Sequence, residues 1–330
     1  MIAPALPSLP RALSEERGWP WTARHLSSGA GERPPRISLV TPSYNQAEFI
    51  EETIRSVLLQ GYPNLEYFII DGGSSDGTVD IIRKYEPWLA GWVSEPDRGQ
   101  GHAINKGFSQ ATGDILAWLN SDDLYTPGAL QAVAEMHRAH PAAIVAGDVV
   151  DFNHETGEER LFEHRNVDYC NVVRFWEGRS WHQPGLFFPR EAYPRTNGLD
   201  ESLRYTMDYD LLCRLLRLVP VVYVNDVVAR FRRHGSAKSA RQAGVGFLLE
   251  NTLVSQRYWH LLPPEERAGC ELGLTRRLVR RAARKLILEF RPTHGLSLLR
   301  AAWRVSKNAT LINLVSEVIH LGRAGSQKGS

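Results

Sequence analysis

The segment Asp114-Ile115-Leu116-Ala117-Trp118-Leu119-Asn120-Ser121-Asp122-Asp123 runs from an apolar strand directly into two adjacent carboxylates. Neighbouring acids at the end of a buried strand repel each other and lose hydration, which is costly unless a cation binds there. Such oxygen ligands suit Mg²⁺ or Mn²⁺, ions that proteins usually bind together with substrate phosphates. The alternative is a helix cap, because Tyr125-Thr126-Pro127 is predicted to start a helix and Asp favours a helix N-terminus. A cap explains one acid better than two, so we expect a metal site.

Strand and helix patterns alternate around this segment, between residue 36 and about residue 150. Apolar strands are predicted at residues 37–41, 67–70, 92–93, 115–119 and 142–150. Because apolar strands alternate with helices, we predict an α/β fold with a doubly wound, mostly parallel sheet. Ligands of such sheets bind at the carboxyl ends of the strands, where Asp71 and Asp122 lie.

The loops that follow these strands carry polar groups. Thr41-Pro42-Ser43-Tyr44-Asn45 offers hydroxyls, an amide and an aromatic face, and residues 94–102 hold several charged groups. Asp71, at the end of the second strand, can accept a hydrogen bond from a base N–H or a ribose hydroxyl. The glycine-rich loop of residues 71–78 does not match an EF-hand, and no Rossmann fingerprint or P-loop follows the first strand.

In chain order, the motifs T-P-S-Y-N, I-I-D-G-G-S-S-D-G-T, S-E-P-D-R-G, N-K-G and T-G-D-I-L-A-W-L-N-S-D-D-L-Y resemble those of glycosyltransferase family 2, inverting enzymes of the GT-A fold. The resemblance covers roughly residues 36–235, so it is far more specific than any single motif. It implies a nucleotide-diphospho-sugar as the donor substrate. On the basis of this resemblance, we assign donor binding to Thr41, Pro42, Tyr44, Asp71, Asp97, Arg98 and Asp122.

The resemblance also implies a divalent cation, Mn²⁺ or Mg²⁺. Asn120-Ser121-Asp122-Asp123 matches the family's acidic metal-binding motif, in which many members have Asp in place of Asn120. Asp122 and Asp123 are therefore the expected ligands. Residues 231–236 resemble the segment that closes over the diphosphate, where His234 can complete the metal shell as a neutral imidazole. The alternative for His234 is a structural role.

Inversion requires a base that takes the proton from the acceptor hydroxyl on the opposite face of the sugar. If a helix starts near Asp208, this acid precedes Leu211 and Leu212 by three and four residues and points inward with them. Asp210 instead faces Arg214 on the polar side of the helix. Asp208, which also matches the family's base motif, is the predicted general base, with a helix N-cap as the alternative.

The remaining sequence suggests an acceptor side and a helical appendage. Trp181-His182-Gln183-Pro184-Gly185 resembles the acceptor-side loop of the family, so His182 and Gln183 are candidate contacts, although a structural loop histidine is the alternative for His182. We divide the chain into a poorly ordered lead-in, a GT-A domain with a nucleotide-sugar half and an acceptor half, and a C-terminal helical region. These regions are residues 1–35, 36–239 (halves 36–150 and 151–239) and 240–330.

A basic stripe lies beside apolar positions in the helix predicted at residues 274–290. A solvated face is the default interpretation. Basic amphipathic helices also bind anionic membrane surfaces, and docking onto the catalytic domain or onto a homodimer partner is the third possibility. The basic residues are Arg276, Arg277, Arg280, Arg281, Arg284 and Lys285.

Composition limits the remaining classes. The chain is 43% hydrophobic and 23% charged, as in ordinary globular proteins, and its net charge of +2 gives no argument for a nucleic-acid partner. Cys170, Cys213 and Cys270 are far apart and form no C-x-x-C motif, which fits a reducing compartment. No apolar run of about 18 residues is present. We expect a cytoplasmic protein, with peripheral association with the inner membrane face as an alternative.

These observations together predict a divalent-metal-dependent inverting glycosyltransferase of the hexosyltransferase type. Its acceptor would be a saccharide or a lipid-linked molecule, as in the synthesis of polysaccharides and the cell envelope. A nucleotidyltransferase of related fold is one alternative, although its glycine-rich phosphate loop is missing after the first strand. A non-catalytic module that binds nucleotide sugars is another, and the acidic motif together with the inward-pointing Asp208 argues against it.

Overall fold

The structure is a computed structural model of the chain, and it describes residues 9–10, 19–21, 34–178, 181–238, 245–267, 269–287, 289, 291–306 and 310. The chain divides into two compact units. Unit 1 comprises residues 1–168 and 181–235, and unit 2 comprises residues 169–180 and 236–330. Unit 1 ends at residue 235, and the boundary predicted after residue 239 lies outside the described residues. Residues 169–180 belong to unit 2, where the Ser255 hydroxyl donates to the Val173 carbonyl at 3.0 Å.

The first part of unit 1 is a parallel sheet with helices in its connections. Its strands are β1 (Ile37–Ser43), β2 (Leu65–Asp71), β3 (Gly91–Ser94) and β4 (Ile115–Trp118). Its helices are α1 (Ile50–Leu58), α2 (Thr78–Tyr85) and α3 (Gln100–Phe108). β1 lies between β2 and β4, and all of these pairs are parallel. Their carboxyl ends therefore meet at one edge, as the strand pattern predicts.

The second part of unit 1 extends this sheet with mixed pairing. Its elements are β5 (Leu124–Tyr125), α4 (Ala129–Ala139), β6 (Ile144–Asn153), β7 (Glu159–Phe162), β8 (Leu186–Pro189), α6 (Met207–Leu215) and β9 (Val221–Arg233). The strand order is β3-β2-β1-β4-β8-β6-β9-β5, with β7 on β6. β8 is antiparallel to both β4 and β6. The α/β class is confirmed, and the sheet is mixed, with the parallel part confined to the first four strands and the β6–β9 pair.

The core lies on the sheet and under the helices that cover it. Helix α1 contributes Ile50, Ile54 and Val57, which are fully buried because apolar residues recur at helical spacing. The fully buried Leu39 of β1 and Ile69 of β2 belong to the same cluster. Burial of such side chains is the main stabilising contribution to this sheet, at about 1.5–3 kcal/mol each.

Two predicted boundaries are wrong close to the acidic segment. β1 continues through Pro42 to Ser43, and Ser43 is in register with Asp71. No helix starts directly after the acidic pair, because Leu124 and Tyr125 form β5 against β9 and α4 begins only at Ala129. Tyr125 is fully buried, and burying its ring in the core favours the strand over an early helix turn. Asp122 and Asp123 therefore do not cap a helix.

The predicted disorder of the lead-in falls mostly outside the described residues. The seven described residues of this segment are 9–10, 19–21 and 34–35, and Pro34 and Pro35 accept hydrogen bonds from Asn64 and Tyr62 through their carbonyls. The buried guanidinium of Arg55 donates to the carbonyls of Pro10, Pro20 and Trp21, and the Trp19 indole donates to the Tyr125 carbonyl at 2.8 Å. These contacts tie the described parts of the lead-in to α1 and β5.

Unit 2 is helical. Its helices are α5 (Tyr169–Val173), α7 (Val245–Tyr258), α8 (Pro264–Arg267), α9 (Cys270–Ile287) and α10 (Pro292–Val305). Three of the four predicted C-terminal helices are present, and the fourth, at 311–321, lies outside the described residues. Leu274, Leu278 and Val279 of α9 are fully buried. In the part of the chain that the structure describes, no helix is long and apolar enough to span a membrane.

Candidate active site

The loops after β1 and β2 are joined by hydrogen bonds between their backbones and side chains. The Asn45 amide donates to the Ser74 hydroxyl at 2.7 Å, and the Ser75 amide donates to Asn45 Oδ1 at 3.0 Å. The Ala47 amide donates to Asp76 at 3.0 Å. Asn45 adopts φ +51°, a conformation that Asn tolerates better than most residues. The two predicted donor-binding loops therefore form one ordered edge.

Asp71 organises this edge from within. Its fully buried carboxylate accepts hydrogen bonds from the amides of Gly73 and Ser74 at 3.1 and 2.8 Å, and from the Ser94 hydroxyl at 2.6 Å. The Ser74 hydroxyl is a further donor. These bonds satisfy a carboxylate that burial would otherwise penalise. The structure thus shows Asp71 in a loop-organising position, and its contact with a base or ribose remains a prediction.

The other predicted nucleotide contacts differ in exposure. Thr41 is fully buried, and its hydroxyl is 3.0 Å from that of Tyr67, so it lies in the core beside the pocket edge. Pro42 is also buried. The Tyr44 ring is 63% exposed at the end of β1 and is available for stacking. Next to it, the Ser43 hydroxyl is buried without a hydrogen-bond partner among the described residues, which makes it a candidate donor to a ligand.

Asp97 and Arg98 lie on the loop between β3 and α3. Asp97 covers Gly72, where an added Cβ would lie 2.9 Å from its Oδ2, and it accepts from the Gly99 amide at 2.7 Å. Arg98 forms an ion pair with Glu201 at 2.6 Å, and both its side chain and the loop are largely exposed. The structure therefore brings Asp97, but not the guanidinium of Arg98, against the Gly-rich loop after β2.

Asp122 and His234 meet where β4 and β9 end. His234 follows β9 directly, and its Nε2 is 3.1 Å from Asp122 Oδ2. The histidine is almost fully buried and packs on the Phe49 ring at a centroid distance of 4.4 Å, whereas the Asp122 side chain retains 21% exposure. A carboxylate and an imidazole are thus held side by side, with the carboxylate facing the open side.

Asp123 has opposite surroundings. Its carboxylate accepts from the Arg232 amide at 2.9 Å and from the Asn120 side chain at 3.2 Å, and it is 1% exposed. Burial is the main cause that raises the pKa of Asp123 well above its usual range, and the neighbouring charge of Asp122 raises it further. The hydrogen bonds from Arg232 and Asn120 act in the other direction. Asp123 therefore behaves as an anchor between β4 and β9.

The predicted three-ligand metal group is not assembled among the residues that the structure describes. These residues contain no cluster of three His, Cys, Asp or Glu side chains able to hold a metal ion. Asp122 and His234 nonetheless offer an oxygen and a nitrogen ligand side by side, a combination that suits Mn²⁺ when substrate phosphates and water complete the shell. The donor set therefore fits a cation bound jointly by protein and donor. Coordination by Asp123 stays a prediction.

Sequence reasoning missed Arg232, the residue that holds this site together. Its guanidinium donates to the Asp122 carbonyl at 2.8 Å, pairs with Glu52 of α1 and lies over the Phe49 and Phe152 rings. Arg232 is 3% exposed, while Arg233 next to it is half-exposed. Alternation along β9 could have identified Arg232 as the inward-facing member of the Arg-Arg pair.

Asp208 is the second residue of α6 and lines a cavity of about 10 Å³, enough for roughly one water molecule. Leu211 and Leu212 line the same cavity, so the predicted inward direction of Asp208 is correct. Gln183 also lines it and donates to the Trp118 carbonyl at 2.7 Å. Through this contact the cavity adjoins the carboxyl end of β4, which leads to Asp122.

The predicted position of Asp210 on an exposed polar face is wrong. Its pairing with Arg214 at 2.5 Å is as predicted, but Asp210 is 2% exposed and the arginine also donates to the carbonyls of Thr196 and Gly198. The segment at 190–206, which contains two 3₁₀ turns, covers this side of α6, and helical periodicity alone does not reveal it. Asp210 and Arg214 thus form a buried pair whose disruption would be costly.

His182 is held among aromatic rings. It packs against Phe162 and Phe231 at centroid distances of 4.5 and 5.0 Å, and burial lowers its pKa. Its backbone amide donates to Nε2 of the buried His164 at 3.0 Å. Contact between His182 and an acceptor remains a prediction. Gln183 has a buried Oε1 without a partner among the described residues, so it retains an acceptor that could face a ligand.

Comparisons with known proteins agree with this geometry. The glycosyl transferase family 2 model matches residues 38–201. An uncharacterised glycosyltransferase of Mycobacterium tuberculosis is 30% identical over 206 residues, covering 61% of this chain and 76% of that protein. For three further uncharacterised glycosyltransferases, the chain spans only 64 to 66% of their length.

Solved structures share the fold at low identity. S. aureus TarS 1–349 in complex with UDP-GlcNAc has a TM-score of 0.62 at 16% identity, covering 87% of this chain and 92% of that chain. A mannosyltransferase from Pyrobaculum calidifontis in complex with GDP-Man and Mn²⁺ has a TM-score of 0.53 at 22% identity, covering 88% and 81%. The sheet is of the GT-A type found in these enzymes, and the chain belongs to glycosyltransferase family 2.

Proposed function

We propose that the protein transfers a sugar from a nucleotide-diphospho-sugar to a hydroxyl group of its acceptor with inversion at the anomeric carbon. The observation that carries this proposal is the Asp122–His234 pair, 3.1 Å apart, at the carboxyl edge of the parallel strands. The two solved neighbours hold UDP-GlcNAc and GDP-Man, which supports a nucleotide sugar as donor without identifying its base or sugar.

The donor would lie along the edge formed by the loops after β1 and β2. The exposed Tyr44 ring offers a stacking face for the base, and the unpartnered Ser43 hydroxyl can donate to an oxygen of the donor. Asp71 keeps this edge in shape through its four hydrogen bonds. The exposed Arg98 would have to exchange its Glu201 partner to reach a diphosphate.

Asp122 and His234 would hold a divalent cation, Mn²⁺ or Mg²⁺. When bound, such an ion neutralises charge that develops on the departing diphosphate. Arg232 fixes the Asp122 backbone, and Asp123 ties the acidic motif to β9, so both residues would orient Asp122 before the donor arrives. The mannosyltransferase neighbour contains Mn²⁺, which supports this choice of cation.

Asp208 would accept the proton of the acceptor hydroxyl as it attacks the sugar. Its place in a small cavity with Gln183 and apolar leucines supports this role, because such a setting limits competition from bulk water. The cavity has the volume of only about one water molecule, so a whole sugar ring could not enter it. His182 and Gln183 would border the acceptor.

We further propose an acceptor that is a saccharide or a lipid-linked molecule and a role in polysaccharide or cell-envelope synthesis in the cytoplasm. The free cysteines support a reducing compartment. Peripheral membrane binding through residues 274–290 and a homodimer are additional proposals. Because the apolar positions Leu274 and Leu278 are buried, membrane contact would have to use the arginines and would depend on anionic lipid.

Turnover with a panel of nucleotide sugars tests the proposed function. Purified protein with Mn²⁺ should release the nucleoside diphosphate from one donor, faster when an acceptor is present, and EDTA should stop the reaction. NMR of the product should show an inverted anomeric configuration. Thermal stabilisation by one donor without any turnover would instead indicate a non-catalytic nucleotide-sugar-binding module.

A further inference from the structure

A cavity of about 740 Å³ lies within unit 2, far larger than the cavity at Asp208. It is bordered by α7, α9 and the short helical turn at Phe175–Glu177. Its volume is that of a small-molecule site. The described residues that line it include no carboxylate. Five of them are arginines of α9: Arg276, Arg277, Arg280, Arg281 and Arg284.

The helix itself does not need these arginines. Arg276, Arg280 and Arg284 follow one another at intervals of four, where like charges repel by about 0.2–0.5 kcal/mol per pair. The packing of α9 is supplied by its other side, where Leu278 and Val279 are fully buried. Five guanidinium groups thus border one cavity, where an anionic ligand would reduce the repulsion between them.

Part of the cavity wall is held in a fixed position. Arg277 donates to the Trp176 carbonyl at 3.0 Å and lies over the Phe175 ring at 5.6 Å. Trp176 in turn packs directly on Gly273, where an added Cβ would lie 2.5 Å from its indole nitrogen. Gly273 therefore makes room for the indole of Trp176, whose backbone carbonyl holds Arg277. Partial burial and repulsion from Arg281 lower the pKa of Arg277, although arginine stays charged at neutral pH.

One carboxylate, that of Glu289, lies just beyond the C-terminal end of α9. Glu289 lies 3.4 Å from Arg284 and also pairs with Lys285, and neither Glu289 nor Lys285 lines the cavity. Toward the other end, Arg276 has no ion-pair or hydrogen-bond partner among the described residues. Arg276 therefore borders the cavity without a counter-ion from those residues.

We propose that this cavity is a binding site for a phosphate-containing anion of the diphosphate class. Guanidinium groups match phosphate oxygens in a bidentate geometry, and several of them can share one diphosphate. The Phe247 ring, 45% exposed at the cavity, would cover an apolar part of the ligand. Such a ligand is either a soluble phosphate compound or the head group of a phosphate-bearing lipid. The proposal does not depend on the proposed transfer reaction, since the described residues that line the cavity all belong to unit 2.

Calorimetry with inorganic pyrophosphate tests the site in the full-length protein. EDTA is included so that no divalent cation can hold pyrophosphate at Asp122. Saturable binding is expected, and the double variant Arg276→Gln, Arg280→Gln should weaken it by at least about 10-fold, since hydrogen bonds to charged groups are strong. Arg300→Gln, an exposed arginine of α10 outside the cavity, is the control with the same chemical change and should bind like the wild type. Asp122→Asn should also bind like the wild type.

Vesicles then identify the source of the anion. A lipid head group would be assigned if the protein floats with phosphatidylglycerol vesicles but not with phosphatidylcholine vesicles. Pyrophosphate should then compete with this flotation, and the double variant should not float. Pyrophosphate binding without flotation would assign a soluble ligand. Absence of saturable pyrophosphate binding, or equal weakening in the Arg300→Gln control, would overturn the proposal. If thermal unfolding shows that the double variant is misfolded, the single variants Arg276→Gln and Arg280→Gln carry the same test.

Discussion

The acidic motif at residues 120–123 and the start of α6 at residues 207–210 make the same use of two acids. In each region one acid faces the proposed reaction site, and the other is buried next to an arginine: Asp123 with Arg232 and Asp210 with Arg214. The difference lies in what the arginine joins. Arg232 connects β9 to β4 and α1, whereas Arg214 holds the coil before α6 through the carbonyls of Thr196 and Gly198. The comparison indicates that the buried acids set the positions from which Asp122 and Asp208 would act in the proposed reaction.

The largest effect is expected from Asp122→Asn. Loss of one charge beside the departing diphosphate should lower kcat by at least about 10²-fold, the size measured when one electrostatic stabiliser is removed. Thermal unfolding should change little, since Asp122 remains partly exposed. Product formation with saturating Mn²⁺ measures the effect, with Asp80→Asn, an exposed acid of α2, as the matched control. Wild-type turnover in Asp122→Asn would contradict the proposed site.

Asp123→Asn sharpens the contrast between the two neighbouring acids. An Asn side chain can still accept from the Arg232 amide, so we expect a smaller loss of kcat than for Asp122→Asn, together with a lower melting temperature. A loss of kcat equal to that of Asp122→Asn, with unchanged stability, would instead assign Asp123 to the metal shell, as the sequence motif predicts.

Asp208→Asn should lower kcat by about 10²–10⁴-fold, the usual contribution of a general base. Donor affinity should stay close to that of the wild type, because the residue lies in the cavity with Gln183 and not on the donor edge. Steady-state kinetics combined with donor binding by calorimetry separates the two effects. If Asp208 only stabilises the first turn of α6 through the helix dipole, its replacement would lower stability and leave kcat within about 10-fold.

Asp210→Asn is expected to act on stability and not on chemistry. Removing the charge leaves the mostly buried Arg214 without its counter-ion, a change that typically costs about 3–5 kcal/mol. Chemical denaturation should show this loss, whereas Asp80→Asn, which removes an exposed ion pair with Arg83, should cost less than about 1 kcal/mol. Equal effects of the two substitutions would mean that Asp210 is not buried in solution.

His164 extends the comparison to a buried group that has to be neutral. Its Nδ1 is 2.8 Å from the Gly147 carbonyl, and its Nε2 accepts from the His182 amide, an arrangement that only the neutral ring allows. Burial lowers its pKa to about 4. Below the unfolded-state pKa of about 6.5 the unfolded chain binds the proton more readily, so stability should fall as the pH drops from about 6.5 to 4, by about 3 kcal/mol.

Denaturation midpoints of the wild type and of His164→Gln across this pH range check the prediction. The variant should be less stable at pH 7 and should lose less of its remaining stability on acidification. Parallel pH curves for the two proteins would exclude His164 as the source of the acid sensitivity. The carboxylates and the other histidines, including His182, are the same residues in both proteins.

Local patterns in the sequence were sufficient for the parallel strands β1–β4 and for the direction of Asp208. In the first part of unit 1, apolar strands alternate with helices along the chain, a pattern that is typical of a parallel sheet. A helical residue three or four positions before two core leucines faces inward with them. The same patterns did not separate Asp122 from Asp123 or place Asp210 in the interior. Those distinctions depend on residues more than 100 positions away, as for Arg232, or on a coil that no periodicity describes.

The order of motifs along the chain by itself determined the family, the fold class and the set of acids from which the site is built. Only the tertiary structure decided which acid meets His234, which is tied to Arg232, and that five arginines of α9 surround a cavity. The physical reason is that periodicity determines which face of an element is buried. Desolvation and hydrogen-bond partners are set only once β4, β9 and α6, or α7 and α9, have packed.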